Sequence, residues 1–262
     1  MNRDTARQTA TIASLGLTLT INALANTVKI NGRATGEISN NFANFFVPSG
    51  YVFAIWSLIY LGLIGFVIYQ ALPAQATNAR LRRVGWWFVA SNLFNTAWLF
   101  SWHYEQYALS MLMMSGLLAA LAVIYTRLDP DRALVKGAQR WLVNLPFSIY
   151  LGWITVAVIP NASVTLIAAG WDGFGLSGEV WAVVLLGFAT VIGALVALPR
   201  RDWAYAAVLV WAFVGIGVKF AELSLLANAA YLAAAVVAVI VVFCLVRDWG
   251  AGRVERSAPE AA

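Results

Sequence analysis

Hydrophobic residues fall into eight long stretches along the chain, separated by short polar segments. The stretches cover residues 8–27, 48–72, 84–102, 106–127, 138–159, 178–198, 203–219 and 224–246. An α-helix needs about 20 mainly apolar residues to cross the hydrocarbon core of a bilayer, and the stretches have about that length. The pattern therefore predicts an all-α integral membrane protein with eight transmembrane helices.

The basic residues predict how these helices are oriented. If the connections alternate between the two sides of a membrane, side one holds both termini and 14 of the 17 Lys and Arg residues. Side two then holds only Lys29, Arg33 and Lys219. Because cytoplasmic loops collect positive charge, we expect both termini in the cytoplasm. We further expect a bacterial inner-membrane protein, with the lipid bilayer as its main partner.

Composition narrows the classes of function. Hydrophobic residues make up 61% of the chain and charged residues 11%, against about 25% charged residues in soluble domains. The net charge of +5 lies in short segments beside the predicted helices, where topology and anionic headgroups explain it better than a nucleic-acid partner does. The single Cys244 excludes an internal disulfide and a Cys-based metal site.

Polar residues inside the apolar stretches are the candidate functional positions, because each must find a partner away from lipid. They recur at spacings of three or four, which places them on one face of a helix. They are Ser14, Thr18, Asn22 and Asn26; Trp56 and Tyr60; Asn92, Asn95 and Trp98; and Asn144, Ser148, Trp153, Ala157 and Asn161. Such residues either join helices, at about 0.6 kcal/mol per contact, or line a pocket for a flat, hydrophobic, partly polar ligand. Both interpretations stay open at this point.

The sequence offers few residues in a pattern typical of an enzyme active site. His103 lies in the short turn after the third stretch and is interpreted as an interfacial residue, with Trp102 beside it as an aromatic anchor. Lys219 lies at a helix end without a carboxylate counter-ion on the third stretch, which argues against a retinal Schiff base. No catalytic or metal-ligating residue is assigned. The long connections 28–47 and 160–177 are expected to cover a cavity mouth or lie at the interface.

Three motifs resemble the TspO/MBR family of tryptophan-rich sensory proteins and translocator proteins (peripheral benzodiazepine receptors). Residues 48–60 (Pro-Ser-Gly-Tyr-Val-Phe-Ala-Ile-Trp-Ser-Leu-Ile-Tyr) resemble its second-helix signature, residues 95–98 its third-helix Asn-x-x-Trp, and residues 153–161 its fifth-helix Trp-x-x-x-Ala-x-x-x-Asn. The resemblance covers roughly residues 10–161 and implies a TspO-like five-helix bundle over 1–161. Since family members usually end there, we predict three additional transmembrane helices over 162–248 and a disordered tail over 249–262.

The resemblance also implies a pocket for porphyrins, haem or similar tetrapyrroles, and in some members for sterols or benzodiazepine-like drugs. The matching positions are Trp56, Tyr60, Asn95, Trp98, Trp153, Ala157 and Asn161. Trp56 and Trp153 would stack on the ligand, while Asn95 and Tyr60 would form hydrogen bonds to it. Tyr51 and the 28–47 connection would close the pocket. Asn22 and Asn26 are added from the polar face of the first stretch.

Together these features predict a membrane sensor or binding protein for a flat hydrophobic ligand. A porphyrin or haem would be its ligand, and no cofactor is required. A carrier for a hydrophobic metabolite and a porphyrin-degrading enzyme remain as alternatives. A homodimer also stays open, because the additional helices could cover the surface that five-helix members use to dimerise.

Overall fold

The computed structural model describes residues 2–129 and 135–254 of the 262-residue chain, and the side chains up to residue 247. Within these ranges the chain is helical and contains no strand. The helices are α1 (Arg3–Thr27), α2 (Thr35–Asn40), α3 (Ile55–Ala71), α4 (Ala79–His103), α5 (Tyr107–Leu128), α6 (Leu145–Ala168), α7 (Gly178–Arg200), α8 (Trp203–Lys219) and α9 (Ser224–Val254).

Each of the eight predicted stretches corresponds to one long helix, but fewer helices meet a strict requirement for a membrane span. Within the described ranges, five helices are long and apolar enough to cross a membrane, or six if the bent pair Arg3–Thr27 and Ile30–Asn40 is one span. α4 falls short because Asn92 and Asn95 lower the mean hydropathy of its uncharged part, and α8 because it has only 17 residues. The apolar helices fit an integral membrane protein. Eight spans and cytoplasmic termini stay predictions.

Five helices close into a ring in which each contacts the next, in the order α1, α4, α5, α6, α3 and back to α1. α8 packs against α6, and α9 contacts both α8 and α7. The α6–α8 contact is close at Gly152, where an added Cβ would lie 3.0 Å from the carbonyl oxygen of Tyr205. The last three helices are thus attached to the ring mainly through α6, with a further hydrogen bond from Tyr125 of α5 to Asp202 at the start of α8 (2.6 Å).

Three phenylalanines close one end of the ring. Phe66 of α3, Phe88 of α4 and Phe147 of α6 are fully buried and meet edge to face, with ring centroids 4.9–5.8 Å apart. Such pairs contribute about 0.5–1.5 kcal/mol each beyond the burial of their area. This Phe cluster leaves the other end of the ring to be covered by a different part of the chain.

That part is the segment 28–54, named here the lid. The sequence predicts a loop over residues 28–47, but the lid contains α2 and two 3₁₀ helices, Ile30–Gly32 and Gly50–Ala54. Side-chain hydrogen bonds attach it to the ends of α4 and α6: Asn31 Nδ2 to His103 O (2.9 Å), Trp102 Nε1 to Thr35 O (3.1 Å) and Asn44 Nδ2 to Pro160 O (3.0 Å). The lid is therefore an ordered cover.

α6 is longer than its apolar stretch predicts. The stretch ends at residue 159, whereas the helix continues through Pro160 to Ala168 and begins after a π-helical turn, Arg140–Asn144. A proline removes only one donor from the helical ladder, and burial of Asn161 and Val164 holds the helix together beyond it. Asn161 consequently lies on a helix rather than in a loop.

Some predictions concern residues at the edge of what the structure describes. Residues 249–254 of the predicted disordered tail belong to α9, and residues 255–262 lie outside the described ranges. Arg132 and Arg256, two of the basic residues assigned to side one, lie outside them as well.

Candidate functional site

A cavity of about 660 Å³ lies inside the ring at the lid end. Its walls come from the lid, from α1, α3, α4, α5 and α6, and from Lys219 at the end of α8. Small-molecule sites have volumes of about 300–1,000 Å³ and mostly apolar walls with a few polar groups. The cavity therefore has the size and position of a ligand-binding site.

Eight of the ten residues predicted to meet the ligand lie in this cavity, whereas Ser14, Thr18, Asn92, Asn144 and Ser148 on the same predicted polar faces do not. The residues of that set that line it are Asn22, Asn26, Trp56, Tyr60, Trp98, Trp153, Ala157 and Asn161. They come from four helices, and their spacing of three or four along each helix brings them to one inner face. The two others, Asn95 and Tyr51, lie elsewhere.

Asn95 is buried behind the cavity wall. Its Nδ2 donates to the hydroxyl of Tyr150 (2.9 Å), and its Oδ1 accepts from Nδ2 of Asn22 (3.1 Å). Both of its polar ends thus connect α1, α4 and α6 to one another. Asn95 supports the position of the wall and does not face the cavity.

Tyr51 points away from the cavity. Its side chain is 46% exposed and packs edge-on against Trp211 of α8, with ring centroids 5.3 Å apart. Phe53, two residues further along the 3₁₀ helix, lines the cavity instead and meets Trp153 edge to face at 5.7 Å. The part of the lid near Tyr51 therefore contacts α8, while Phe53 contacts the interior.

On one side of the cavity the polar atoms are paired with each other. Trp98 Nε1 donates to Asn161 Oδ1 (2.8 Å), and Asn161 Nδ2 donates to Ser110 Oγ (3.1 Å). A separate hydrogen bond joins Asn22 to Asn95, and these five residues are named here the paired wall. Because its side-chain N–H donors are engaged, the paired wall offers a ligand mainly ring faces and methylene groups.

On the other side two buried donors have no partner among the described residues. They are the indole Nε1 of Trp153, a side chain only 2% exposed, and the hydroxyl of Tyr60. Trp56 stacks on Tyr60 at 5.3 Å and meets Trp153 edge to face at 6.2 Å. We name Trp56, Tyr60 and Trp153 the unpaired wall. A buried unpartnered donor costs about 1–3 kcal/mol, so its presence in a native structure needs an explanation.

The sequence predicts Trp102 and His103 at the membrane interface, but the structure buries both side chains. Trp102 is 4% exposed, lines the cavity and stacks on Trp98 at 6.1 Å. His103 is fully buried, with Nδ1 2.8 Å from Leu99 O and Nε2 3.4 Å from the hydroxyl of Thr35. Both side chains join α4 to the lid. The spacing of four between Trp98 and Trp102 is the sequence signal that could have placed Trp102 in the cavity.

Ion pairs on the outer surface also hold the lid. Lys29 Nζ lies 2.7 Å from Glu37 Oε1, and Arg33 is paired with Glu105. The hydrogen bond from Lys29, together with one from the backbone N–H of Ala34, lowers the pKa of the Glu37 carboxyl below its usual range. These charges keep α2 in place without entering the cavity.

The structure brings one charged residue, Lys219 at the end of α8, to the cavity, although the sequence pattern does not predict it there. Neither histidine nor a carboxylate occurs in the lining. Across the described residues, no group of three or more His, Cys, Asp or Glu is placed to hold a metal ion. The chemistry of the lining is therefore aromatic rings, amides, hydroxyls and one ammonium group.

A second cavity, of about 460 Å³, lies between α6, α7 and the lid. Its walls are largely apolar, with side chains such as Leu166, Leu185 and Phe188. None of the unpartnered buried polar atoms found among the described residues belongs to its lining. The cavity inside the ring is the stronger candidate for a specific ligand.

A model of the family described as "TSPO-like protein" matches residues 8–243. The chain belongs to the TspO/MBR family. The match extends beyond the three motifs into α7, α8 and α9, so these helices are part of the matched TSPO-like sequence. No curated protein and no solved structure matches the chain. Family membership and the apolar helices indicate a membrane-associated ligand-binding or sensor protein.

Proposed function

We propose that this TSPO-like chain binds a flat hydrophobic ligand in the cavity inside the ring, and that the ligand is a porphyrin-type tetrapyrrole. The observation that carries the proposal is the unpaired wall, where Trp153 and Tyr60 present two buried unpartnered donors beside aromatic rings. A ligand with a planar ring and polar acceptors would satisfy the donors and bury the rings at the same time.

The aromatic side chains supply a suitable surface for a planar ring. The stacked pair Trp56–Tyr60 lines the cavity from α3 and the stacked pair Trp98–Trp102 from α4. Ala157, one helical turn after Trp153 on α6, adds only a methyl group to the lining. Large rings on two helices and a small residue on a third favour a broad, flat ligand over a spherical one.

The metal-free porphyrin is the better first probe. A haem iron is commonly held by a histidine, and His103, the one histidine of the chain, is engaged with Leu99 and Thr35 outside the lining. The unpaired wall instead offers hydrogen-bond donors, which suit the polar edges of an organic ligand. Protoporphyrin IX therefore tests the proposal without requiring an iron ligand.

Binding is favoured over passage through the ring. The Phe cluster, formed by Phe66, Phe88 and Phe147, closes the ring at the end away from the lid. A carrier would have to open these close aromatic contacts, whereas a sensor or binding protein needs only the lid to move. Net flux of porphyrin in proteoliposomes separates the two, since a binding protein takes up ligand without moving it across.

The test is a titration of the full chain in detergent with protoporphyrin IX, followed by the Soret band and by tryptophan quenching. We expect saturable binding by the wild type and binding about tenfold weaker in Trp153→Phe, which keeps an aromatic ring but loses the indole donor. Trp86→Phe is the matched control, because Trp86 is 54% exposed and lies outside the cavity lining.

Two results would contradict the proposal. The first is a wild type whose Soret band and fluorescence do not respond saturably to micromolar protoporphyrin IX. The second is a Trp153→Phe variant that binds as tightly as Trp86→Phe. Recovery of chemically intact porphyrin after binding and illumination would in addition exclude porphyrin degradation.

A further inference from the structure

A cation from outside the five-helix ring reaches the cavity. Lys219 is the last residue of α8, which packs on α6 and takes no part in the ring. Even so, Lys219, which is exposed to solvent, is one of the residues that line the cavity, together with the lid residues Ser49 and Gly50. Through Lys219, α8 thereby contributes directly to the site, a role that its sequence alone does not indicate.

Close packing between α8 and the lid sets the position of Lys219. The backbone N–H of Ser49 donates to Gly215 O (3.0 Å), and Trp211 Nε1 donates to Val52 O (3.0 Å). A Cβ at Gly215 would lie only 2.2 Å from Val52 Cγ2, so the approach depends on the glycine. Lys219 follows Gly215 by one helical turn and is carried to the cavity by this contact.

The charge of Lys219 has no counter-ion in the described part of the chain. No carboxylate oxygen of a described residue lies within 4.0 Å of its Nζ, whose nearest recorded partner is the ring of Phe220 at 5.5 Å. The two other basic residues near the lid are each paired, Lys29 with Glu37 and Arg33 with Glu105. Among these three basic residues, Lys219 is thus the one without a counter-ion.

We infer that the cavity selects ligands that combine a flat hydrophobic ring with an anionic group, and that Lys219 binds that group. The inference rests on the proposed function, because it assigns the acidic edge of the same ligand. The ring would lie among the aromatic side chains, and a carboxylate would meet the ammonium group of Lys219. A charge-assisted hydrogen bond of this kind is about twice as strong as a neutral one.

The experiment compares protoporphyrin IX, which carries two carboxylates, with its dimethyl ester, which has the same ring and no charge. Full-length wild type, Lys219→Gln and Lys219→Arg are titrated in a neutral, lipid-free detergent, so that lipid phosphates do not compete. Arg247→Gln is the matched control, since it removes one positive charge from an exposed position outside the lining.

We expect the acid to bind about tenfold more weakly to Lys219→Gln than to the wild type, and the ester to bind both equally. Lys219→Arg and Arg247→Gln should retain wild-type affinity for the acid. Added salt should weaken binding of the acid to the wild type more than to Lys219→Gln, because salt screens the charge of Lys219.

The failure of this inference can be told apart from the failure of the proposed function. If both probes bind the wild type and Lys219→Gln leaves the affinity for the acid unchanged, the role of Lys219 is overturned while the binding function stands. If Arg247→Gln weakens the binding of the acid as much as Lys219→Gln does, the loss of affinity comes from the lower net charge of the protein. The inference about Lys219 is then likewise wrong. If neither probe binds the wild type, both are overturned.

Discussion

The paired and unpaired walls contain similar residue types but use them differently. In the paired wall, Trp98 and Asn161 satisfy each other, and Asn161 continues to Ser110. In the unpaired wall, the indole of Trp153 and the hydroxyl of Tyr60 are as deeply buried but have no partner in the described structure. A tryptophan close to the cavity is therefore no guide to its role until the partner of its N–H is known.

The comparison separates residues that hold the fold from residues that meet a ligand. Inside a membrane protein an engaged amide stabilises helix–helix contacts, because lipid offers no other partner. An unengaged donor lowers stability unless something else accepts from it. Loss of a residue from the paired wall should consequently affect stability, and loss from the unpaired wall should affect binding.

The largest effect on stability is expected for Asn161→Leu. The change removes the acceptor of Trp98 Nε1 and the donor to Ser110 Oγ in a side chain that is 3% exposed. The free energy of unfolding should fall by about 1–2 kcal/mol, measured by thermal or denaturant unfolding in detergent. Asn26→Leu is the control, because Asn26 is exposed and should change stability by less than about 0.5 kcal/mol. Equal effects of the two substitutions would contradict the stabilising role of the hydrogen bonds in the paired wall.

A sharper comparison pairs two buried tyrosines. Tyr150→Phe removes the hydroxyl that accepts from Asn95, and Tyr60→Phe removes one without a partner. We expect Tyr150→Phe to destabilise the ligand-free protein by about 1 kcal/mol and Tyr60→Phe to leave it unchanged or slightly more stable. Thermal unfolding with and without protoporphyrin IX checks this, because Tyr60→Phe should reduce the stabilisation by ligand. A Tyr60→Phe variant less stable than Tyr150→Phe would contradict the comparison.

The smallest effect is expected at the lid, where the charged groups are paired, as in the paired wall, but are exposed to solvent. Hydrogen bonds from Lys29 and from the backbone of Ala34 lower the pKa of Glu37. The contribution of its carboxylate to the stability of the lid is therefore present at neutral pH and is lost as the pH falls through the lowered pKa. Glu37→Gln should speed amide exchange in α2 by at most about fivefold at pH 7. The difference between the variant and the wild type should shrink as the pH falls through the lowered pKa, because the carboxylate then loses its charge. A difference that stays constant as the pH falls would assign the effect to something other than the charge.

The helices were predictable because the physical requirement behind them is local. A run of about 20 apolar residues has few alternatives to a helix in lipid, and each predicted stretch is a long helix in the structure. Their ends were less predictable. α6 continues past Pro160 because burial of Asn161 and Val164 outweighs the lost hydrogen bond, and α2 in the lid is held by contacts with the distant end of α4.

The site was predictable in part. Spacing along single helices identified eight residues that line the cavity, among them Trp56, Trp153 and Asn161. Spacing did not distinguish Asn95, whose amide is used behind the wall. The family resemblance placed Tyr51 near the ligand, although Phe53 faces the cavity. These outcomes depend on the rotation of each helix against its neighbours, which a one-dimensional pattern does not contain.

By itself the sequence determined the helical class, the positions of the helices and the residue types able to meet a planar ligand. These follow from hydropathy and from the 3.6-residue period, both properties of neighbouring residues. The tertiary structure decided which donors are satisfied, and it brought Lys219 of α8 to a cavity built by other helices. Hydrogen-bond satisfaction and charge pairing join residues far apart in the chain, so they exist only once the helices have packed.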